Sequence, residues 1–420
     1  MTQPTRRALL TGIAALPVAS AAAAAEATRR RGKRRREPSA PAQHVDVAVI
    51  GAGVFGAWTA WHLVRAGLKV RLFDAYGAGH ARSSSGGESR VIRMAYGADA
   101  IYSAMAAQSL PYWQALSDSA STPIFHRTGV LWWAPETDSY TAQSRDWLKT
   151  SGTPHEVGDA NWLQQRWPQI RFYNNEVGIL ETGAGALIAG RGVQEVIADA
   201  GLTVERIVMP APLPVKKRAT HHLPGGGTAD TLVYAVGPWL AELFPQQLGG
   251  KIVATRQEVL HFGAPQGDLR FTAPQLPVWA DFNNGAIVYG IPDIEGQGFK
   301  LAFDDHGPRV DPDTHDRRIS EATVTRARTY LAQRFPTLAD APLIHSRVCQ
   351  YENSSNGDFL IDRLPGTGRV WLVGGGSGHG FKHGPAVGKR VAAHVMDAAL
   401  AVEPRFSFAT KGIVAARTVF

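Results

Sequence analysis

Short apolar runs alternate with glycine turns and helical spacing in the first part of the chain. Residues 45–50 are apolar and β-branched, which is typical of a buried parallel strand. Residues 57–66 have helical spacing, and Gly67 ends that helix before a second strand over residues 69–73, which is followed by Asp74. The pattern predicts a βαβ unit of about 30 residues.

Two later segments also have an apolar run followed by glycine, as in this unit. Residues 232–236 form an apolar run that Gly237 interrupts. Residues 370–373 form another, which leads into the glycine-rich loop 374–380 and a predicted helix over 384–400. Glycines between a strand and a helix place backbone N–H groups where they can bind an electron-rich ligand.

The segments between these pieces have a different pattern. Residues 130–133 and 286–289 predict antiparallel strands, and residues 317–335 predict a charged amphipathic helix. The chain therefore predicts an α/β fold in which a discontinuous Rossmann-type domain carries an inserted substrate domain. That inserted domain is α+β, with a mainly antiparallel sheet.

The first strand leads directly into a glycine fingerprint, Gly51-Ala52-Gly53-Val54-Phe55-Gly56. Gly51 permits a tight turn, Gly53 lets the backbone approach a pyrophosphate, and Gly56 lets the helix pack against the strand. Asp74 can accept hydrogen bonds from a ribose diol. The alternative is a glycine turn that binds no ligand, but strand, glycines, helix and acid in this order favour a dinucleotide site.

Length and charge narrow the class of protein. With 420 residues the chain predicts two domains. The sequence pI of about 9.6 arises in residues 1–40, which hold nine basic and two acidic residues. Of the 44 basic and 36 acidic residues in total, 35 and 34 remain for the body, which is close to neutral. Nucleic-acid binding is therefore not expected, and the sequence predicts no metal site.

The N-terminal segment has the pattern of an export signal. Arg6 and Arg7 precede an alanine-rich apolar run that ends at Ala25, as in twin-arginine signals. We expect residues 1–25 to be this signal, residues 26–43 to be a basic linker, and the protein to be periplasmic or extracellular. The alternative is a chance pair of arginines. No stable membrane span is expected, because the apolar run is short.

The chain has a single cysteine, Cys349, and therefore no internal disulfide. A lone cysteine is more often a small buried hydrophobe than a reactive group. Its surroundings in the sequence decide between these interpretations.

Taken together, these motifs resemble the sarcosine oxidase and N-methyltryptophan oxidase group of the D-amino-acid-oxidase-like flavoproteins. The resemblance runs from about Val45 to about Leu400. The segments that carry it are residues 89–97, 128–131, 166–168, 289–292, 298–301, 347–351 and 378–382.

The resemblance implies an FAD cofactor and a division of the chain. It implies FAD-binding parts at residues 44–124, 184–242 and 353–420, and substrate-domain parts at residues 125–183 and 243–352. Cys349 matches the cysteine that in this family bonds to the 8α-methyl carbon of FAD. The other implied cofactor-binding residues are Gly51, Gly53, Val54, Phe55, Gly56, Asp74, Ser89, Arg90, Val204, Gly237, Trp239, Gly378, His379, Gly380, Phe381 and Lys382.

The same resemblance implies roles in binding and reaction. Lys300 matches the family lysine that activates oxygen near the flavin, and Arg90 matches an arginine close to the flavin ring. Arg93 and Lys382 match the pair that clamps the substrate carboxylate; for each, an ordinary structural role is the alternative. The residues that match the lining of the substrate cavity are Tyr289 and Tyr351.

Three departures from the family pattern concern the substrate. Gly86 and Gly87 stand where small-substrate relatives have a histidine, which predicts a roomier side of the site. Asp304 replaces a histidine, and we assign it to the catalytic site, where a carboxylate can bind a cationic or polar group. Trp132 and Trp133 are bulkier than expected, and together with Asp304 they hint at a substrate side chain that is polar or aromatic.

The expected function is that of a monomeric FAD-dependent oxidase. Its substrate is a small amino-acid-like secondary amine with a carboxylate, N-methylated or cyclic, and O₂ is reduced to H₂O₂. The alternatives are an amino-acid dehydrogenase of the same fold that passes electrons to quinone, a deglycating (fructosyl amino acid) oxidase, and a flavin redox-binding protein without turnover.

Overall fold

The computed structural model describes residues 43–212, 220–283, 287–367 and 369–413, and the described residues from His44 onward belong to one compact unit. The predicted export signal and nearly all of the predicted linker lie outside the described residues. Their roles stay predictions.

The strands follow one another along the chain as β1(His44–Ile50), β2(Val70–Asp74), β3(Ser89–Ile92), β4(Phe125–His126), β5(Val130–Pro135), β6(His155–Asp159), β7(Glu176–Glu181), β8(Gly185–Ile188), β9(Val204–Arg206), β10(His221–His222), β11(Thr228–Tyr234), β12(Ile252–Phe262), β13(Val278–Asp281), β14(Val288–Ile291), β15(Phe299–Phe303), β16(Leu343–Ser354), β17(Leu360–Arg363) and β18(Val370–Gly374).

The α-helices are α1(Val54–Arg65), α2(Ala100–Ser119), α3(Ser139–Ser151), α4(Ala160–Arg166), α5(Ala189–Asp199), α6(Leu240–Leu243), α7(Pro245–Leu248), α8(Glu321–Arg334) and α9(Gly384–Met396). Within the described ranges, no helix combines the length and the apolar character that crossing a bilayer requires.

The first sheet has the order β17-β18-β11-β1-β2-β9, and β10 pairs with β11. Its central strands are parallel, whereas β17 and β10 are antiparallel to their neighbours. The helix α1 connects β1 to β2 and packs against α9. This is the predicted Rossmann-type sheet, and its parallel strands are buried as their apolar sequences require.

The second sheet has the order β16-β12-β15-β14-β13-β5-β7-β6. Its neighbours are antiparallel except for β13 and β5, which run parallel. Trp279 lies in its core and stacks on Trp133 and Phe299. The fold class predicted from the sequence, an α/β cofactor domain with an inserted and mainly antiparallel sheet, is confirmed.

A third, small sheet has the order β3-β8-β4. It joins strands from three distant parts of the chain and carries Ser89 and Arg90 on β3. The predicted domain boundaries stay a prediction, because the strands of all three sheets belong to a single compact unit.

Some predicted elements begin or end elsewhere. The helix predicted over residues 317–335 is shorter at its start, because the Ser320 side chain caps α8 by accepting a hydrogen bond from the Thr323 N–H group. The last helix ends at Met396, and β11 ends at Tyr234. Of the strand predicted over residues 286–289, residue 286 lies outside the described residues, and β14 begins at Val288.

Candidate active site

Two adjoining cavities lie between the sheets. The larger, here called the cofactor cavity, has a volume of about 470 Å³ and extends from Asp74 to the loop at 376–381. The smaller, here called the substrate cavity, has a volume of about 130 Å³. The residues that line both are Ser84, Arg90, Tyr351, Gly378 and Phe381.

The glycine fingerprint forms one wall of the cofactor cavity. Gly51 has a φ of +103°, and a Cβ added there would lie 2.2 Å from the Ala235 carbonyl oxygen. A Cβ on Gly56 would lie 1.8 Å from the Gly51 carbonyl oxygen. At Gly53, which lines the cavity, the nearest atom to an added Cβ is the Ser85 Oγ at 3.3 Å. The turn, the helix packing and the open approach for a ligand are thus present as the sequence predicts.

Asp74 stands at the carboxyl end of β2, inside the cofactor cavity. Its Oδ2 accepts a hydrogen bond of 2.9 Å from the Ala52 N–H group, and its Oδ1 accepts bonds of 2.8 Å from the amides of Tyr76 and Gly77. These bonds fix the carboxylate at the strand end, where a ribose diol can donate to its remaining lone pairs.

Most predicted cofactor residues reach one of the two cavities. Lining the cofactor cavity are Gly51, Gly53, Val54, Phe55, Asp74, Arg90, Gly237, Trp239, Gly378, Gly380 and Phe381. Lining the substrate cavity instead are Ser89, His379, Lys382 and Cys349. Gly56 lines neither, because its role is helix packing.

Val204 does not line the cofactor cavity, so its predicted contact with FAD has no support in the geometry. This residue pairs with Leu72 in β9 and packs against the core, whereas the cavity wall beyond β9 consists of Ile207, Val208 and Met209. The cause is a displacement along the chain, since the strand ends at Arg206 and only the residues after it turn toward the cavity.

Two basic side chains are held in place by hydrogen bonds to backbone carbonyl oxygens: Arg90, which lines both cavities, and Lys300, which lines the substrate cavity. The Lys300 Nζ donates a hydrogen bond of 2.8 Å to the Ser89 carbonyl oxygen, and the side chain is buried. Burial and the nearby Arg90 lower the pKa of Lys300 to about 7. The Arg90 guanidinium donates to the carbonyl oxygens of Ser84, Gly86 and Ser89 at 2.6–2.8 Å, so its orientation is fixed.

Arg93 lines the substrate cavity and is held on several sides. It donates hydrogen bonds to the Ala95 carbonyl oxygen and, at 3.1 Å, to the Tyr140 hydroxyl. Its guanidinium lies 4.6 Å from the ring centre of Tyr96 and 5.0 Å from that of Trp132. Such packing on aromatic faces fixes a cation at this wall.

Lys382 is the second buried cation of the predicted carboxylate clamp. Its Nζ donates to the Tyr96 hydroxyl at 2.6 Å and to the His379 carbonyl oxygen at 3.2 Å. Burial, together with Arg93, lowers the pKa of Lys382 well below its usual value. The structure therefore brings Arg93 and Lys382 together at one wall, around Tyr96. An anion bound there would offset the repulsion between them.

Asp304, Tyr351 and Tyr289 form an acidic and phenolic wall of the same cavity. The Tyr351 hydroxyl donates to Asp304 Oδ1 at 3.3 Å. Burial, with the charge of Asp304, raises the pKa of Tyr289 to about 12, so this phenol stays protonated. The wall offers a carboxylate to a cationic or polar group of the substrate.

Cys349 lies in β16, opposite Gln257 of β12, and is partly exposed. Residues 347, 349 and 351 point to one face of the sheet, because side chains alternate along a strand. Cys349 therefore shares a face with Tyr351, which lines both cavities. Lys300 and Arg317 lie near enough to interact with the charge that the sulfur carries as a thiolate.

Two expectations about the shape of the substrate site are wrong. A Cβ added to Gly87 would lie 3.2 Å from the Arg347 Nε, and one on Gly86 would lie 2.3 Å from the His80 carbonyl oxygen. The space beside this pair is thus filled, and neither glycine lines the substrate cavity. Trp132 and Trp133 are buried in the protein core and do not line this cavity either.

Sequence reasoning missed several residues of the cavity walls. Ser84 lines both cavities, and Tyr76 and His80 form an aromatic pair in the cofactor cavity. Glu352 also lines the cofactor cavity, and burial raises the pKa of its carboxyl to about 8. Its position directly after Tyr351, which the resemblance assigns to the substrate cavity, was the available signal.

Comparison with known proteins agrees with this geometry. The family described as FAD dependent oxidoreductase (DAO) matches residues 46–394. The chain belongs to this family.

Within the family, particular relatives cover most of the chain. It is 29% identical over 362 residues to monomeric sarcosine oxidase of Bacillus sp., which spans 83% of this chain and 92% of that protein. It is 29% identical over 375 residues to N-methyl-L-tryptophan oxidase of Salmonella heidelberg, with coverage of 86% and 96%. The predicted group and the predicted class, an FAD-dependent oxidoreductase, are confirmed.

Solved structures show the same fold. NikD, an unusual amino acid oxidase essential for nikkomycin biosynthesis, superposes with a TM-score of 0.72 at 18% identity, covering 87% of this chain and 97% of that one.

The cofactor cavity suits FAD. Only glycine fits at positions 51 and 56, and Gly53 leaves an open approach for a ligand. Together with the fixed carboxylate of Asp74, these features match a dinucleotide whose pyrophosphate lies at the start of α1. The other end of the cavity opens into the substrate cavity, so a flavin ring there would be accessible to substrate.

Proposed function

We propose that the protein oxidises a small secondary amine that carries a carboxylate, such as an N-methyl or cyclic amino acid, and reduces O₂ to H₂O₂. The observation that carries this proposal is the charge of the substrate cavity. Its 130 Å³ are lined by four basic side chains and two acidic ones. The basic residues are Arg90, Arg93, Lys300 and Lys382, and the acids are Glu258 and Asp304.

Arg93 and Lys382 would bind the substrate carboxylate. The Lys382 ammonium has three N–H groups, and the Tyr96 hydroxyl and the His379 carbonyl oxygen accept two of them. A carboxylate can accept the third. It would also favour the charged form of Lys382, which burial disfavours in its absence. Asp304, near Tyr351, would hold a cationic or polar part of the substrate.

When bound, FAD supplies the electron acceptor for a hydride from the C–H bond next to the amine nitrogen and passes the electrons to O₂. Burial of the amine in this cavity would favour its neutral, reactive form, so no strong base is needed. The buried ammonium of Lys300 would stabilise negative charge as O₂ is reduced. The imine product would hydrolyse in water.

The proposal includes covalent attachment of FAD to Cys349. Its support is the position of Cys349 on the strand face shared with Tyr351, with cations near the sulfur. Acid denaturation should leave flavin absorbance on the polypeptide, and Cys349→Ser should release it. Flavin that leaves the unsubstituted protein in acid would rule out the bond.

We also propose export of a folded, monomeric holoenzyme by the twin-arginine machinery. Support comes from the Arg6-Arg7 pair and the alanine-rich run after it. Replacing both arginines with lysine should retain the protein in the cytoplasm, as fractionation would show.

The central experiment is an anaerobic screen of N-methyl and cyclic amino acids, followed by admission of air. A substrate should bleach the flavin absorbance, and air should restore it with one H₂O₂ formed per turnover. Bleaching without peroxide, with turnover only on added quinone or dye, would favour a dehydrogenase. Flavin that none of these amines bleaches would favour a redox-binding protein. The small cavity and the filled space beside Gly87 favour a substrate smaller than a sugar-modified amino acid, and fructosyl amino acids added to the same screen test the deglycating alternative.

A further inference from the structure

Three titratable side chains form a row across the second sheet. Lys300 of β15 pairs directly with His261 of β12, and His261 pairs with His345 of β16. Directly opposed residues on antiparallel strands point to the same face. Lys300 and His261 are 3% and 1% exposed, whereas the His345 side chain is 50% exposed. The row therefore leads from the wall of the substrate cavity to solvent.

Glu88 connects the members of this row. Its Oε1 lies 3.3 Å from the His345 Nε2 and 3.4 Å from the Arg347 Nη1, and its Oε2 lies 3.9 Å from the His261 Nε2. Burial opposes its ionisation, but Arg347, Lys300 and His261 lower the pKa of Glu88 to about 2. The Glu88 carboxylate is thus ionised, and its charge favours the charged form of Lys300. The Lys300 Nζ donates a hydrogen bond to the carbonyl oxygen of Ser89, the residue after Glu88.

His261 has a free basic nitrogen in the middle of the row. Its Nδ1 donates to the Gln297 carbonyl oxygen at 3.1 Å, because a carbonyl can only accept. The Nε2 therefore keeps its lone pair in the neutral ring. Among the described residues this buried atom has no hydrogen-bond partner, and it faces Glu88. Burial and Lys300 lower the pKa of His261 to about 4, so it can hold a proton only briefly.

We propose that Glu88 keeps Lys300 charged and that His345, Glu88 and His261 return a solvent proton to Lys300 after each reduction of O₂. This inference rests on the proposed oxidase function. A hydride equivalent brings two electrons and one proton to O₂; the Lys300 ammonium gives the second proton and becomes a neutral amine. One proton from solvent restores the ammonium, so atoms and charge balance.

The charges around Lys300 make Glu88 the relevant partner. Arg90 and Arg347 disfavour a charged Lys300, and Glu88 together with the Cys349 sulfur favours it. If the sulfur is bonded to FAD it carries no charge. Glu88 is then the remaining anion among these neighbours.

The first test measures Lys300 directly and needs no turnover. The chain has ten lysines, so the ¹³C resonance of the labelled Lys300 side chain can be assigned by its loss in Lys300→Met. Glu88→Gln should lower the Lys300 pKa by about one unit. Glu88→Asp should restore it in part.

A matched control is Glu295→Gln, which removes a carboxylate that also pairs with an arginine and a histidine, Arg191 and His126, but lines neither cavity. It should leave the titration of Lys300 unchanged. The same Lys300 pKa in Glu88→Gln and in the unsubstituted protein would overturn the role of Glu88.

The second test concerns the proton route. His261→Phe should slow reoxidation by O₂ at pH 8 about tenfold, and added imidazole should recover the rate in His261→Ala, whose smaller side chain leaves room for it. Exposed His345→Gln tests the same route without disturbing the core, and it should raise the solvent deuterium isotope effect on reoxidation. Rates and isotope effects equal to those of the unsubstituted protein in both variants would remove the route.

The two proposals can fail separately. If Lys300→Met reoxidises as fast as the unsubstituted protein, the oxygen role of Lys300 in the proposed function is wrong. If Lys300→Met is slow but Glu88→Gln and His261→Phe change neither the Lys300 pKa nor the proton dependence, only the present inference is wrong.

Discussion

The cofactor cavity and the substrate cavity adjoin at Arg90 and Tyr351, but they are built differently. One wall of the first is backbone, shaped by glycines that permit close approach near Gly51 and Gly56. The second is lined by side chains from the second sheet, the small sheet and the loop after β18. A backbone wall tolerates almost no change, whereas a wall of side chains can change one residue at a time. We therefore expect substitutions in the two cavities to have different consequences.

The largest effect should come from the backbone wall. Gly51→Ala combines a φ of +103° with a Cβ 2.2 Å from a carbonyl oxygen, and we expect loss of FAD from the purified protein. Gly67→Ala is the matched control, because its φ is +88° but no atom lies within 4 Å of the added Cβ. It should cost about 1–2 kcal/mol of stability and keep the flavin. Flavin absorbance measures the FAD content of each variant, and the melting temperature measures its stability. Equal flavin content in Gly51→Ala and Gly67→Ala would refute the predicted difference.

Lys300→Met should have the next largest effect. Loss of the buried ammonium should slow reoxidation by O₂ about 10²–10³-fold and leave flavin reduction by substrate nearly unchanged. Stopped-flow absorbance measures the two half-reactions separately, with the exposed Lys149→Met as control. Equal slowing of both steps would argue against an oxygen role.

Lys382→Met tests the anion-binding wall. Removal of a charged hydrogen bond of about 1.5–3 kcal/mol should raise KM for carboxylated amines about 10- to 100-fold. Amines without a carboxylate should be affected little. A parallel rise for both kinds of substrate would indicate a general disturbance of the cavity instead of a carboxylate contact.

The pH dependence of reoxidation should follow Lys300. Its pKa is lowered to about 7, so the ammonium is present below that pH and is lost as the pH rises. The reoxidation rate constant should then fall toward tenfold per pH unit above pH 7. Lys300→Arg should flatten this profile, since arginine stays charged. A fall that persists unchanged in Lys300→Arg would assign the titration to another group.

Trp133→Phe should have the smallest effect on activity. This side chain is fully buried against Trp279 and Phe172, away from the cavities. We expect a loss of about 1–3 kcal/mol in the free energy of unfolding and an unchanged KM. A change in substrate preference would show that packing in the core of the second sheet affects the substrate cavity.

The same difference in construction explains what could be predicted from the sequence. The wall from Gly51 to Asp74 depends on contacts within one βαβ unit, so local pattern was sufficient to place it. The space beside Gly87 is filled by the Arg347 side chain, which comes from a distant part of the sequence. The pair that this arginine makes with Glu88, the residue after Gly87, spans 259 positions. Whether the side chains of Trp132 and Trp133 point toward the cavity depends on which face of the second sheet covers it. No local pattern carries that information.

The family resemblance covered part of this gap. Lys300, Arg93 and Lys382 all line the substrate cavity although they lie far apart in the chain, and residue-by-residue matching found them. The row through His261 and Glu88 escaped it, because it depends on the register of three strands.

The pairing of Cys349 with Gln257 has a consequence for the timing of synthesis. The two residues are 92 positions apart, in the long strands β16 and β12. Contacts of such separation form slowly, after local structure. The Cys349 thiol thus reaches the cavity wall only after the second sheet has formed. The proposed bond to FAD would therefore form only in a chain that has folded.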